Sequence, residues 1–388
     1  MSSFDPKDVN LDTANPVDVI CYIEASTNQY NGHLGARISA LFVILIVSSA
    51  ATFFPVLASR IPQLKIPLYV YLFARYFGAG VIIATAFIHL LDPAYGEIGP
   101  NTCVGMTGGW VVYSWPPAIA LVSVMCIFLL DFIAEFYVEE KYALAHNAPE
   151  VEDVVVHRST DKNHGNEGNH GKENPVHPHQ HLHSGDQDDN IGTSGRDTEC
   201  EDDAANKMAD KEADIELGDS DAETRDFQEQ IAAFLILEFG VIFHSVIIGL
   251  NLGVAGSEFS ILYPVLVFHQ SFEGLGIGAR MSAIPFPKRW HWLPWALCAG
   301  YGLTTPISIA IGLGLRTTYN SGSFTANVVS GVFDSISAGI LIYTGLVELL
   351  ARDFLFNPKR TKDKKQLTFM IICLFLGTAL MALLGKWA

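Results

Sequence analysis

Eight stretches of this chain are too long and too apolar to be solvated by water. They cover roughly residues 36–58, 70–94, 117–138, 228–252, 260–283, 292–315, 325–350 and 367–386. Crossing the hydrocarbon core of a bilayer takes about 20 consecutive apolar residues in a helix. Lipid offers no hydrogen-bond partners, so a spanning segment must satisfy its backbone internally, and isolated strands of this length are excluded. The predicted fold class is therefore an all-α polytopic membrane protein with eight transmembrane helices, numbered helices 1 to 8 in chain order. Composition agrees: 49% of residues are hydrophobic and 17% charged, a low charge density for a soluble chain.

The net charge of −17 is concentrated in one place. Between Glu139 and Asp226 stand 24 acidic and 8 basic residues, and the rest of the chain is nearly neutral. This segment is rich in Asp, Glu, Asn, Gly and Ser, and cannot bury enough apolar surface to offset its ordering entropy, so disorder is expected. Basic residues set the orientation. With the N-terminus outside, twelve Lys and Arg fall at the inner ends and in the short inner loops, among them Arg75, Arg280, Lys288 and Arg352; four lie outside. The expected organisation is an extracellular N-terminal segment (1–35), helices 1–3 (36–138), a cytosolic, acidic, His-rich loop (139–227) and helices 4–8 (228–388), with both termini extracellular. No signal peptide is expected, because residues 1–36 lack an apolar core.

Helix 4 reads LILEFGVIFHSVIIGLNLG over residues 235–253, and helix 5 contains VFHQSFEGLGIGAR over 267–280. Ionisable groups at mid-membrane cost several kcal/mol and are retained for function more often than by accident. His269 and Glu273 are four residues apart and share one helical face; His244 lies at a matching depth in helix 4. Two imidazoles and a carboxylate suit zinc or iron(II). The competing reading is that these groups are polar contacts between helices. Two His and one Glu at facing depths, among glycines 240, 249, 253, 274, 276 and 278, favour the metal. Pro264 frees a carbonyl within helix 5.

These strings resemble the paired signature of the ZIP (Zrt-, Irt-like) metal transporters, in the form found in the fungal and plant subfamily. GAGVIIATAFIHLLDPA (78–94), SISAGILIYTGLVELLARDF (335–354) and the long His-bearing loop add to the likeness. The resemblance implies inverted repeats of helices 1–3 and 6–8 around helices 4 and 5, with helices 1, 4, 5 and 6 moving against the others. It implies metal ligands at His244, His269 and Glu273, and a role for His89 in admitting the ion. Ser245 and Gln270 stand where some bacterial members have Asn and Asp for a second metal, and Ile248 where they have Glu. One principal metal is therefore expected, with Ser245 and Gln270 as weak or water-mediated contacts. The implied activity is that of a fungal plasma-membrane importer of zinc(II), with zinc as cargo and no prosthetic group. An iron(II) or manganese(II) importer of the same fold is the alternative, and a metal sensor without net transport is a third reading. HExxH is absent from the chain, as is a P-loop, so neither an intramembrane metalloprotease nor an ATP-driven pump is expected.

The remaining polar residues receive structural readings at this stage. His89 and Asp92 could form an outer relay or an interfacial pair. Glu238 could receive metal at the exit or pair with Arg280 or another cation, and the structural role is preferred; Glu348 with Asp353 could also serve an exit role, and is read first as a solvated, headgroup-level cluster beside Arg352. Asp131 and Glu135 are read as snorkelling, paired acids, and Asp334 as a cap or bridge. His177, His179, His181 and His183 alternate in the loop and fit accessory metal contact. Lys172, Lys207 and Lys211 offer sites to a ubiquitin machinery. A homodimer is compatible with the sequence, the lipid bilayer is the expected partner, and nucleic acid is not. Cys21 and Cys103 both fall on the predicted outside, where a disulfide can persist, but nothing in the sequence requires one.

Overall fold

A computed structural model describes residues 9–10, 13–25, 30–61, 67–143, 200–318, 320–357 and 360–387. The chain divides into two units, Phe136–Ala222 and the remainder (Met1–Glu135 with Glu223–Ala388). In the smaller unit the described residues are the helical ends of helices 3 and 4. The loop histidines lie outside the described residues.

All regular structure among the described residues is helical. A short N-terminal helix, Pro16–Glu24, precedes helix 1 (Leu34–Arg60), helix 2 (Leu68–Ile98), helix 3 (Trp115–Ala143), helix 4 (Cys200–Val254), helix 5 (Phe259–Ala283), helix 6 (Leu293–Leu315), helix 7 (Phe324–Phe356) and helix 8 (Lys364–Leu384). Seven of the eight are long and apolar enough to cross a membrane among the described residues; helix 5 is the exception. Its His269, Gln270 and Glu273 lower its hydropathy, and it compensates by burial, packing against helices 1 and 2. Helix 4 starts at Cys200, so part of the stretch expected as loop, 139–227, is helical.

Close packing at the centre depends on missing side chains. Gly78 of helix 2 and Gly276 of helix 5 face one another, and a methyl group on either would collide with the other's backbone. Small residues of this kind let helices approach where lipid supplies no hydrophobic drive. Helix 1 meets helices 5 and 6, and helix 2 meets helices 7 and 8. Away from the centre, Leu121, Val122, Phe128, Leu129, Phe132 and Ile133 of helix 3 remain exposed, as a lipid-facing surface requires.

Helices 2 and 7 each change from α to π geometry, over Thr85–Leu91 and Thr344–Phe356. The two switches fall in matching sequence: Thr85, His89, Leu90 and Leu91 in one, Thr344, Glu348, Leu349 and Leu350 in the other. In each the threonine hydroxyl donates to the carbonyl four residues back, Val81 at 3.0 Å and Ile340 at 2.9 Å. π turns inside helices are frequent at functional sites. Helices 2 and 7 are counterparts in the two repeats, and the shared local structure is a trace of that relationship.

Arg37 of helix 1 is fully buried. Its Nη1 donates to the carbonyls of Leu252 (3.2 Å) and Gly253 (3.1 Å), and its Nη2 to Ala255 O and Asn31 Oδ1. The final carbonyls of a helix have no partner within it and carry its negative dipole end. Arg37 supplies the C-terminus of helix 4 with donors and positive charge. Nearby, Cys21 and Cys103 form a disulfide, and Cys103 N donates to Glu24 Oε2 at 3.0 Å. The bridge ties the N-terminal helix to the connection between helices 2 and 3, a pairing the sequence left open. Replacing Arg37 with methionine should keep the packed stem and orphan these carbonyls, at about 1–3 kcal/mol for each left unpaired. The expected outcome is a lower thermal midpoint for detergent-purified protein, measured by loss of the monodisperse peak after heating.

Candidate metal centre

Helices 4 and 5 place their polar residues against each other at the centre of the bundle. Pro264 has no N–H to give Ser260's carbonyl, which loosens helix 5 one turn before His269. His244 Nε2 and His269 Nε2 lie 3.4 Å apart, and His269 Nε2 lies 3.9 Å from Glu273 Oε2. All three side chains are buried, and one donor atom from each falls within 4.8 Å of the others. Two ligand atoms on one tetrahedral zinc ion stand about 3.3 Å apart, given Zn–N bonds of about 2.0–2.1 Å. The two nearer separations, 3.4 and 3.9 Å, are within an ångström of that spacing, and the widest, up to 4.8 Å, must close by about 1.5 Å for the trio to converge on a single ion.

Further atoms of the same site lack protein partners. His244 Nδ1, Ser245 Oγ and Glu273 Oε1 are buried without a hydrogen bond among the described residues. A buried, unpaired acceptor costs stability; concentrated beside the trio, these atoms provide spare donor and acceptor capacity for a guest cation and its water.

Gln270 is held differently. Tyr301 of helix 6 donates its hydroxyl to Gln270 Oε1 at 2.8 Å, and Gln270 Nε2 donates to Thr305 Oγ1. The same tyrosine lies 3.4 Å from Glu273 Oε2. Gln270 thus joins a frame around the trio and is not one of its three converging ligands. Ser245, next to His244, keeps its oxygen free. His89 packs edge-on against the His269 ring with centroids 4.8 Å apart, and its Nε2 lies 3.0 Å from Met381 O. It belongs to the inner surroundings of the site; Asp92, expected beside it, is exposed.

Several structural readings made from the sequence need correction. Glu348 is 3% exposed, so it is not a solvated group; Arg280 and Arg352 lie 3.9 and 3.0 Å from its carboxylate. It lies in the π segment of helix 7, among that segment's buried residues. Arg280 is therefore engaged with Glu348 and not with Glu238, whose Oε2 is buried without a partner. Asp131 accepts from Tyr343 at 2.7 Å, Glu135 pairs with Arg352 and Asp353 with Arg75. Tyr301 and Thr305 were missed. A tyrosine and a threonine one turn apart on an apolar helix were the available signal.

A polytopic, all-helical membrane protein with a buried His–His–Glu cluster at the contact of two glycine-rich central helices is the class these features define. A family profile described as "ZIP Zinc transporter" matches residues 34–385. The chain is 54% identical to Zinc-regulated transporter 1 of Saccharomyces cerevisiae, over 99% of this chain and 97% of that one. It is 39% identical to Zinc-regulated transporter 1 of Schizosaccharomyces pombe, over 98% and 92%, and 32% identical to Zinc transporter 9 of Oryza sativa, over 91% and 89%. No solved structure matches. The chain belongs to the ZIP family, whose members are transporters and not enzymes.

Groups that orient metal ligands typically contribute 10–100-fold in affinity. Tyr301→Phe removes only the hydroxyl that orders Gln270 and Glu273. It should weaken cobalt(II) binding to purified protein by about 10-fold, read from the visible absorption of the tetrahedral ion.

Proposed function

We propose that this protein imports zinc(II) into the cytosol across the plasma membrane, by alternating access through a site made of His244, His269 and Glu273. The observation that carries the reading is the convergence of three buried donor atoms within 4.8 Å, contributed by helices 4 and 5 at the centre of a bundle whose other helices are long and apolar enough to cross a membrane. The names of the relatives support zinc as the cargo. A donor set of two neutral imidazoles and one carboxylate leaves one net positive charge on a bound divalent ion. Such a site holds its ion less tightly than a carboxylate-rich one, which suits release on every cycle.

In this reading the ion passes His89, sheds part of its hydration and is captured by the trio. Ser245 contributes its free oxygen or a bridging water, and Gln270 holds Glu273 in register through Tyr301. If helices 1, 4, 5 and 6 move against helices 2, 3, 7 and 8, the sliding surface includes Gly78 against Gly276, where bare backbones meet. Motion of helix 5 also carries Arg280 past Glu348 and loosens their 3.9 Å contact. The freed carboxylate then faces the inner path as the ion leaves. The loop histidines 177, 179, 181 and 183 act on the cytosolic side as accessory metal contacts.

The test is uptake of radioactive zinc in cells lacking their own importers, at matched surface levels. Wild-type chain should take up zinc, while His244→Ala, His269→Ala and Glu273→Ala each lose at least about 10-fold in kcat/KM, equivalent to about 1.4 kcal/mol. Normal transport by all three variants would place the site elsewhere. Uptake of iron(II) in place of zinc would overturn the cargo while leaving the site.

Acidity supplies a second check. Imidazole must be neutral to bind a metal, so protonation competes with capture. Apparent KM for zinc should rise as external pH falls, measured as initial uptake at fixed free zinc in a metal buffer. An unchanged KM on acidification would contradict histidine ligation.

A further inference from the structure

At one end of the bundle, helices 2 and 7 meet through acidic groups that the metal pathway does not use. Asp334 lies in the first half of helix 7, 4% exposed, with Oδ1 unpartnered. Glu97 lies in the last turn of helix 2, and its Oε2 is likewise buried and unpartnered. The two are brought together by Gly331, one turn before Asp334, where an added methyl would lie 3.2 Å from Glu97 Cβ.

The surroundings supply no counter-charge. Helix 3, which packs on helix 7 through Ala120 and Ser123, has no charged residue between Trp115 and Leu130. Helix 4 stacks Phe243 on Phe333 at 5.2 Å, and its nearest titratable group is His244. Helix 2 itself carries His89, turned toward Met381 and His269, and the exposed Asp92. Neither Glu97 nor Asp334 has a salt-bridge partner among the described residues. Two neighbouring carboxylates in such a medium cannot both ionise unless a cation joins them. Two oxygen-bearing side chains are too few for a dedicated zinc site, and no third His, Cys, Asp or Glu joins them in a cluster among the described residues.

We propose that Glu97 and Asp334 form a proton-binding site at the contact of helices 2 and 7, holding one proton between two carboxylates. The shared proton joins the two π-bearing helices at this end of the bundle. Its loss leaves two like charges at a buried interface and weakens the contact. The site is separate from the metal trio, and its test does not depend on transport.

A proton held more tightly in the folded than in the unfolded chain contributes stability that is present at low pH and lost as pH rises. The experiment measures the thermal midpoint of the full-length, detergent-purified protein from acidic to alkaline pH. It compares wild type with Glu97→Gln and Asp334→Asn, which imitate the protonated carboxyls, and with Glu97→Lys, which supplies a fixed cation to Asp334. Wild type should lose midpoint on the alkaline side relative to each variant, by about 2–4 °C. Other buried carboxylates are present in all four proteins and cancel in the comparison. Parallel pH profiles would overturn the proposal. So would a wild-type midpoint that rises on the alkaline side relative to the two amide variants, because that pattern requires both groups to be ionised in the folded protein. If zinc's stabilising effect is lost in the amide variants with the pH profile unchanged, the pair is a cation station and not a proton site.

Discussion

Helix 5 carries an imidazole, an amide and a carboxylate along one stripe, and hydrocarbon has no hydrogen bonds to offer them. That stripe must be enclosed by protein, and much of the architecture follows from enclosing it. Helices 1 and 2 press on helix 5 closely enough that glycine is required at the contacts. Helix 4 closes another side with its own histidine, and helix 6 contributes Tyr301 and Thr305 to hold the amide. The least apolar of the eight helices is thus central to the bundle, while helix 3, with no such burden, faces lipid along most of its length.

The same solvent makes unpaired polar atoms informative. Where the protein needs only stability, it supplies a partner: Arg37 answers the carbonyls at the end of helix 4, and Arg75 answers Asp353. Beside His244 and Glu273 the partners are withheld. Unpaired polar atoms are costly in such a medium, and three of them stand together beside the His–His–Glu cluster. Around Arg280, Glu348, Arg352 and Glu135 the charges are set against one another as ion pairs, with Glu348 3.9 and 3.0 Å from two guanidinium groups.

Much of this was legible in the sequence because membrane constraints are coarse. Eight apolar runs matched the helices within a few residues apart from the start of helix 4, which lies 28 residues earlier at Cys200, and the four-residue spacing of His269 and Glu273 predicted their shared face. What escaped reading depended on departures from ideal helices or on contacts between distant segments. The sequence places Glu348 near the end of helix 7 beside Arg352, which suggests a solvated cluster, whereas the structure buries it within the π segment. The engagement of Arg280 with Glu348 and the frame around Gln270 join residues from different helices, and neither has a local pattern. Glu97 drew no attention, being an ordinary acid near a helix end until Gly331 brings Asp334 beside it. The cysteines were visible, but their pairing depended on the N-terminal helix folding back to the connection after helix 2.

The matching π segments of helices 2 and 7 carry one more implication. The two segments share one scaffold and differ at the positions where their sequences diverge. The clearest of these is the pair His89 and Glu348: the same register, preceded four residues back by threonine and followed by the same two leucines, with a neutral base in one copy and an acid flanked by arginines in the other. On the proposed reading, a cation moving through the bundle meets an imidazole in one copy and, in the other, a carboxylate already engaged by Arg280 and Arg352. The two copies then differ in charge on one shared backbone geometry.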